Sequence, residues 1–262
     1  MQYWHWLVGI SLFFLVLERI FPWRKQKLLR KSILTDTIYL VFNAHYLNIA
    51  IETVQIFILL KLNDYVKIND YLSIFNIELI SGQSFIIQFI ILFFTHDFIQ
   101  WLIHVSLHNI PVLWKFHKIH HTIEELDWIG NFKFHWFEIV VYKSILYFPL
   151  AFFGYNSNVL FWFAVFSTAQ GHFNHSNLKM SLGPLRYFFN TPVMHVWHHN
   201  LLLKKEEKTV NYGINLSIWD WIFNTAYMPK NKHPKKIGII DKNKIPKSFI
   251  RQELYPFIRF KK

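Results

Sequence analysis

The sequence predicts an all-α integral membrane helical bundle of about three to five membrane segments, with a His-rich di-metal cap on its cytoplasmic side. Three observations predict it. Apolar residues make up 53% of the 262-residue chain and charged residues only 17%, against about 25% charged in a typical soluble domain. The apolar residues come in long blocks, as helices that cross a bilayer require. Ten of the fifteen histidines fall in four tight sets: His104/His108, His117/His120/His121, His172/His175 and His195/His198/His199.

Tyr3 to Phe21 is the first expected span, close to the ~20 residues a bilayer needs. Trp4, Trp6 and Trp23 bracket it as interfacial anchors do. It lacks a basic leader and no small-residue cleavage site follows, so it reads as a retained anchor. Arg24, Lys25, Lys27, Arg30 and Lys31 form a basic loop, which the positive-inside rule places in the cytoplasm. Thr37 to Leu62 is the second span, with Asn43, His45, Asn48 and Glu52 facing the bundle interior. Residues 61–82 read as an outer loop. Ser84 to Ile103 runs back inward and delivers His104 and His108 to the cytoplasmic face. Pro111 ends that helix. Val112 to Thr122 is expected as one short helix carrying three histidines.

Trp136 to Phe153 and Val159 to Ala169 flank a Gly-Tyr-Asn-Ser-Asn turn and predict a helical hairpin that partly crosses the bilayer. Leu178 to Asn190 reads as an interfacial piece. Thr191-Pro192 opens the last histidine helix as N-cap and first helical residue. Residues 204–208 are a solvated loop, and the aromatic stretch Asn211 to Ala226 is placed to cover the site. Three parts follow: membrane helices and loops over 1–83, a catalytic domain over 84–228, and a basic tail over 229–262.

The net charge of +12 would suit nucleic acid, but no reading helix or RNA-binding motif accompanies it. The cations sit in short loops and the tail, as expected beside an anionic leaflet. The sequence contains no cysteine. Disulfides, thiolate metal sites and thiol nucleophiles are excluded, so a transition metal must be held by histidine or carboxylate.

Residues three and four apart share a helix face. An H-x-x-H-H set is therefore expected to present three imidazoles to one point, and H-x-x-x-H two. Clustered protonatable rings without a cation cost repulsion or desolvation. Ten imidazoles exceed what one ion takes, so two ions with about five ligands each are expected. Imidazole suits iron, zinc, copper or nickel. Open positions beside a lipid-facing cavity favour iron, with zinc the alternative. Asp97, two turns before His104, is expected to orient an imidazole N–H; Glu138 and Asp220 are further candidates to support the ligands.

The segments HDFIQWLIHVSLH (96–108), LWKFHKIHHT (113–122), GHFNHSN (171–177), LGPLRYFFNTPVMHVWHH (182–199) and NYG…WDWIFNT (211–225) together resemble the fatty acid hydroxylase / sterol desaturase superfamily. The last two resemble its branch of alkylglycerol monooxygenase-like and bacterial sterol-desaturase-like proteins. Val105 stands where that pattern usually has Arg, and Asn224 where it has Gly. Residues 133–138 are a looser version of its Arg-x-His-Pro-x-x-Glu segment.

The resemblance implies a membrane di-iron oxidoreductase that uses O2 to hydroxylate or desaturate a fatty acyl, sterol or ether lipid. It carries all ten clustered histidines over as ligands. His104, His108, His117, His120, His121, His195, His198 and His199 form the eight-histidine pattern, and His172/His175 the extra pair. Electrons are expected from an external reductase, cytochrome or ferredoxin. A zinc-dependent membrane hydrolase or a non-redox metal carrier is the competing reading. The first needs a general base beside the metal, for which Glu138 is the candidate. The second needs ligands along a pore at mid-membrane depth.

Overall fold

The computed structural model describes residues 2–68, 80–201, 209–230, 232–240 and 242–258. Most of the loop expected over 61–82, the solvated loop over 204–208 and the end of the tail lie outside them. Helices dominate: α1 Tyr3–Ile20, α2 Ile33–Val41, a π-helical turn Phe42–Leu47, α3 Asn48–Ile68, α4 Phe85–Asn109, α5 Pro111–His117, α6 Trp136–Leu146, α7 Ser157–His175, α8 Pro192–His198, α9 Ile218–Ile222 and α10 Phe249–Leu254. Among the described residues there is no strand, only three isolated β-bridges.

Three helices are long and apolar enough to cross a membrane: Tyr3–Ile20, Ile33–Leu62 and Phe85–Asn109. Their burial pattern is inverted relative to a water-soluble helix. On α1, Leu12 and Phe13 are 56% and 59% exposed while Ser11 and Glu18 are 9% and 1% exposed. Hydrocarbon, unlike water, receives the leucine and drives the polar group inward.

Those inward polar groups have partners. Glu18 Oε1 accepts from the backbone N–H of Trp128 and of Asn177, both at 2.9 Å. Asn43, within the π-helical turn, donates from Nδ2 to the carbonyls of Phe132 and Phe134, both at 2.8 Å. The two N-terminal membrane helices thus clamp the segment 128–134.

Ser84 caps α4, accepting from Ile87 N, and Ile110-Pro111 ends it, as expected. Beyond Pro111 the expected single helix is two pieces. α5 stops at His117 and a separate 3₁₀ turn, His120–Thr122, carries the rest. The hairpin 136–175 has unequal arms, 11 residues in α6 and 19 in α7. Residues 183–187 are only a 3₁₀ turn within the expected interfacial piece. Thr191 caps α8 through Met194 N with Pro192 at the first helical position.

The apolar core runs across the boundaries expected at 83/84 and 228/229. Tyr39, Ile119, Ile239 and Ile245 form one cluster. Leu92, Phe93, Val159, Phe163 and Leu216 form another, which joins α4 and α7 to the covering segment.

Candidate metal centre

The helix ends and short turns converge on nine histidines in two adjoining groups. His104, His108, His117, His121 and His198 form the first, and His120, His175, His195 and His199 the second. Within each group one nitrogen per ring lies within 4.8 Å of all the others. The groups touch: the His121 and His199 rings are 4.5 Å apart between centroids. All nine are buried except His108, which is partly exposed.

Each H-x-x-H-H set is divided between the groups. His117 and His121 enter the first and His120 the second; His198 enters the first, His195 and His199 the second. This corrects the expectation that three imidazoles aim at one point. The turn after α5 breaks at Lys118, and the i, i+4 pair stays together while the remaining ring faces the other way.

His172 belongs to neither group. Its Nδ1 donates to the Thr168 carbonyl at 2.8 Å and its Nε2 accepts from Ser11 Oγ at 3.0 Å. Its ring stacks on Trp128 at 5.3 Å. It stands three positions before His175, and three helical steps of about 100° leave the two rings about 60° apart around the axis, enough to leave His172 against α1.

The outer nitrogens of the ligand rings show which tautomer each holds. His104 Nδ1 donates to Tyr212 O at 2.7 Å, and His198 Nδ1 to Val210 O at 2.8 Å. His120 Nδ1 donates to Lys133 O at 3.2 Å and His175 Nδ1 to Gly171 O at 2.9 Å. A carbonyl only accepts, so each of these Nδ1 atoms carries the proton and each Nε2 presents a lone pair. His117 Nδ1 donates in the same way to Glu138 Oε1 at 2.8 Å.

The inward nitrogens nevertheless crowd together. His104 Nε2 lies 3.1 Å from His117 Nε2, and His175 Nε2 lies 3.2 Å from His120 Nε2. Neither atom of either pair has a proton to share, so these are lone pair against lone pair. Only a cation between them turns the contact into attraction. Two nitrogens ~2.1 Å from one ion lie about 3.0 Å apart at a right angle and about 3.4 Å apart at the tetrahedral angle. The observed spacings fall in that interval. Burial holds the His120, His195 and His199 imidazolium forms well below their ordinary range, and the neighbouring rings push the same way. Nine imidazole nitrogens in two adjoining sets fit a pair of transition-metal ions.

The carboxylates divide by role. Glu138 meets His117 directly. Asp220 works at one remove. Its Oδ1 accepts from Tyr212 N at 2.9 Å and from Trp101 Nε1 at 3.0 Å, and its Oδ2 from Gly213 N at 2.8 Å. It thereby fixes the backbone whose Tyr212 carbonyl receives His104. Asp97 does not meet a histidine. It accepts from Asn215 N at 2.9 Å, Leu216 N at 3.2 Å and Trp219 Nε1 at 2.8 Å. Seven helical residues lift it about 10 Å above His104, level with the covering segment rather than the ring.

The segment 209–225, overlapping the stretch Asn211 to Ala226 expected to cover the site, lies against the first group through the Val210 and Tyr212 carbonyls. Its backbone is sharply bent. Asn211 and Asn224 have φ of 58° and 57°, the left-handed region that Gly and Asn tolerate best. Asn224 thus meets the backbone need that Gly meets in the resembling pattern.

A buried ion network was not foreseen from the sequence. Arg30 reaches both oxygens of Asp127 at 2.6 Å and Asp36 Oδ2 at 2.6 Å, and Lys133 Nζ reaches Asp36 Oδ1 at 2.8 Å. Two cations and two anions balance. The network anchors Lys133, whose carbonyl holds His120. The carbonyls were not foreseen either, because every residue has one.

A family model described as fatty acid hydroxylase matches residues 89–225. The ornithine lipid hydroxylase OlsE of Rhizobium tropici is 33% identical over 163 residues, 62% of this chain and 48% of that protein. The alkylglycerol monooxygenase of Homo sapiens is 29% identical over 167 residues, 63% of this chain and 36% of that protein. That of Caenorhabditis elegans is 28% identical over 150 residues, 56% and 28% of the two chains. The match spans less than half the length of each of these relatives. No solved structure matches. The family match covers more than half of the sequence and all nine clustered histidines just described, so this chain belongs to the fatty acid hydroxylase family.

Proposed function

We propose that this protein is an O2-dependent di-iron monooxygenase that hydroxylates a C–H bond of a membrane lipid. The observation that carries the reading is the pair of lone-pair contacts, His104–His117 and His120–His175, one in each group. Both groups demand a cation. Five ligands on one side and four on the other leave positions open. Two iron ions bound there would supply the activation of O2.

The chain's own residues hold and shield the centre. Glu138 and the carbonyls of Tyr212, Val210, Lys133 and Gly171 hold the rings in one tautomer and orientation, which raises ligand basicity. Segment 209–225 and α8 exclude water from above, and the membrane helices bring lipid to the same depth. The balanced reaction is RH + O2 + 2 electrons + 2 protons giving ROH + H2O. Hydroxylation is favoured over desaturation because the similar proteins are named as a hydroxylase and monooxygenases. The basic loop 24–31 supports a cytoplasmic location for the centre through the positive-inside rule. Two electrons per turnover come from a separate donor.

Metal analysis of protein purified under reducing conditions tests the reading. About two iron ions per chain is the expected result, together with lipid-dependent O2 consumption that His120→Ala and His198→Ala each abolish. One zinc ion and no iron would overturn it in favour of a hydrolase or a metal-binding protein without redox turnover.

A further inference from the structure

Two basic segments stand side by side on the outside of the second histidine group. One is the turn after α1, with Arg24, Lys25 and Lys27. The other comprises residues 230 and 232–236, with Lys230, Lys232, Lys235 and Lys236. All seven side chains are exposed. Opposing them on the same rim are Glu124 and Glu125, of which Glu124 is paired with Lys242. Between the segments lies a cavity of about 240 Å³, lined by Arg24, Lys25, His233, Ser176, Pro192 and Val196 among others.

The floor of that cavity is the wall of the metal centre. Ser176 follows His175 directly, and Val196 follows His195. Both basic segments are fastened to this wall by hydrogen bonds to their backbone. Trp23 N donates to Asn177 O at 2.7 Å, and Asn177 Nδ2 donates to Arg24 O at 2.6 Å. Leu201 N donates to Lys236 O at 3.0 Å, and Gly238 N to His199 O at 2.9 Å. The Trp23 and His233 rings meet edge to face at 4.5 Å, tying one segment to the other. Trp23 and Tyr227 pack on the cluster containing Trp197, the residue before His198. The face is therefore cationic, preorganised and separated from two ligand residues by the thickness of one backbone.

We propose that this face docks the electron donor, an acidic one-electron carrier protein with an iron–sulfur or haem centre. The inference rests on the proposed monooxygenase reading, which requires such a donor. Seven exposed cations against two carboxylates, one of them paired with Lys242, leave this concave surface net positive, and a net positive surface steers an oppositely charged partner and sets its register. Transfer through a thin wall suits electrons, whose passage needs no opening to the metal, whereas a lipid would need one. Two encounters deliver the two electrons that, with two protons, reduce the second oxygen atom of O2 to water.

The test uses the full chain in nanodiscs of neutral phosphatidylcholine and a reduced plant-type [2Fe–2S] ferredoxin, an acidic protein, as probe. Binding to the parent is expected to weaken as salt rises. The variant R24E/K235E/K236E is expected to lose roughly tenfold or more in affinity, and the control K244E/K247E/R251E less than about threefold. Iron content matching the parent shows that both variants fold. Equal losses in the two variants, or none in the first, would overturn the proposal. So would a first variant that keeps ferredoxin affinity but no longer floats with phosphatidylserine vesicles, since the face would then be a headgroup contact. Reduction by dithionite separates this inference from the reading beneath it. Product formed with dithionite by parent and variant alike upholds the monooxygenase, while ferredoxin binding alone decides the docking face.

Discussion

Arg30→Met is the perturbation that most sharply tests how the membrane helices support the metal centre. Arg30 is buried and neutralises Asp127 with two bonds of 2.6 Å and Asp36 with one of 2.6 Å. Methionine fills much of the same space but leaves two buried carboxylates facing a single cation, Lys133. Breaking one side of a buried network costs about 3–5 kcal/mol. For a chain of this size that corresponds to a fall in melting midpoint of roughly 6–15 °C. The loss should also reach the second histidine group, because Lys133 carries the carbonyl that receives His120. Thermal melting in detergent micelles and iron per chain are the two measurements. The double variant R30M/D127M restores balance, leaving Asp36 with Lys133, and is expected to recover at least half of the lost midpoint. If single and double variants melt together, the cost is packing rather than unpaired charge and the reasoning fails.

Three further outcomes are expected. His175→Ala should lower bound iron, whereas His172→Ala should leave iron near the parent level, because only the first ring faces the second group; elemental analysis of both variants checks this. Glu138→Gln keeps an acceptor for His117 but loses the charge, and metal affinity should fall about 10–100-fold in chelator competition; an unchanged affinity would mean the carboxylate merely fills space. Gly213→Ala should destabilise the covering segment, since an added Cβ would lie 2.3 Å from Leu216 O and 2.9 Å from Asp220 Oδ2. A melting midpoint equal to the parent's would show that the segment yields without cost.

Much of the centre is legible in the one-dimensional order of residues. Helical spacing within H-x-x-x-H and H-x-x-H-H marks the histidines as neighbours, and hydropathy marks α4 as the element that delivers His104 and His108. The allocation of rings is not legible. Nothing in the spacing of His117, His120 and His121 says that the helix ends at His117 and sends His120 to a different partner set. His172 illustrates the same limit: it has the spacing of a ligand and the environment of a core histidine, and the neighbour that distinguishes them, Ser11, lies 161 residues away. Asp97 shares a helix face with His104 but not its depth. The supporting carbonyls leave no trace in residue identity at all.

What the sequence by itself determined is therefore chemical and local: nitrogen rather than sulfur as donor, long apolar helices, a cap at Thr191, and enough imidazole for two ions. Tertiary structure alone decided which imidazoles gather in one group, which carboxylate touches one of them, and that a buried Arg30–Asp127–Asp36–Lys133 network underlies His120. The physical reason is one of range. Composition and helical periodicity act within a few residues of chain, whereas ring-to-ring contact and charge balance depend on distances of a few ångströms between segments that lie from 13 to 108 residues apart.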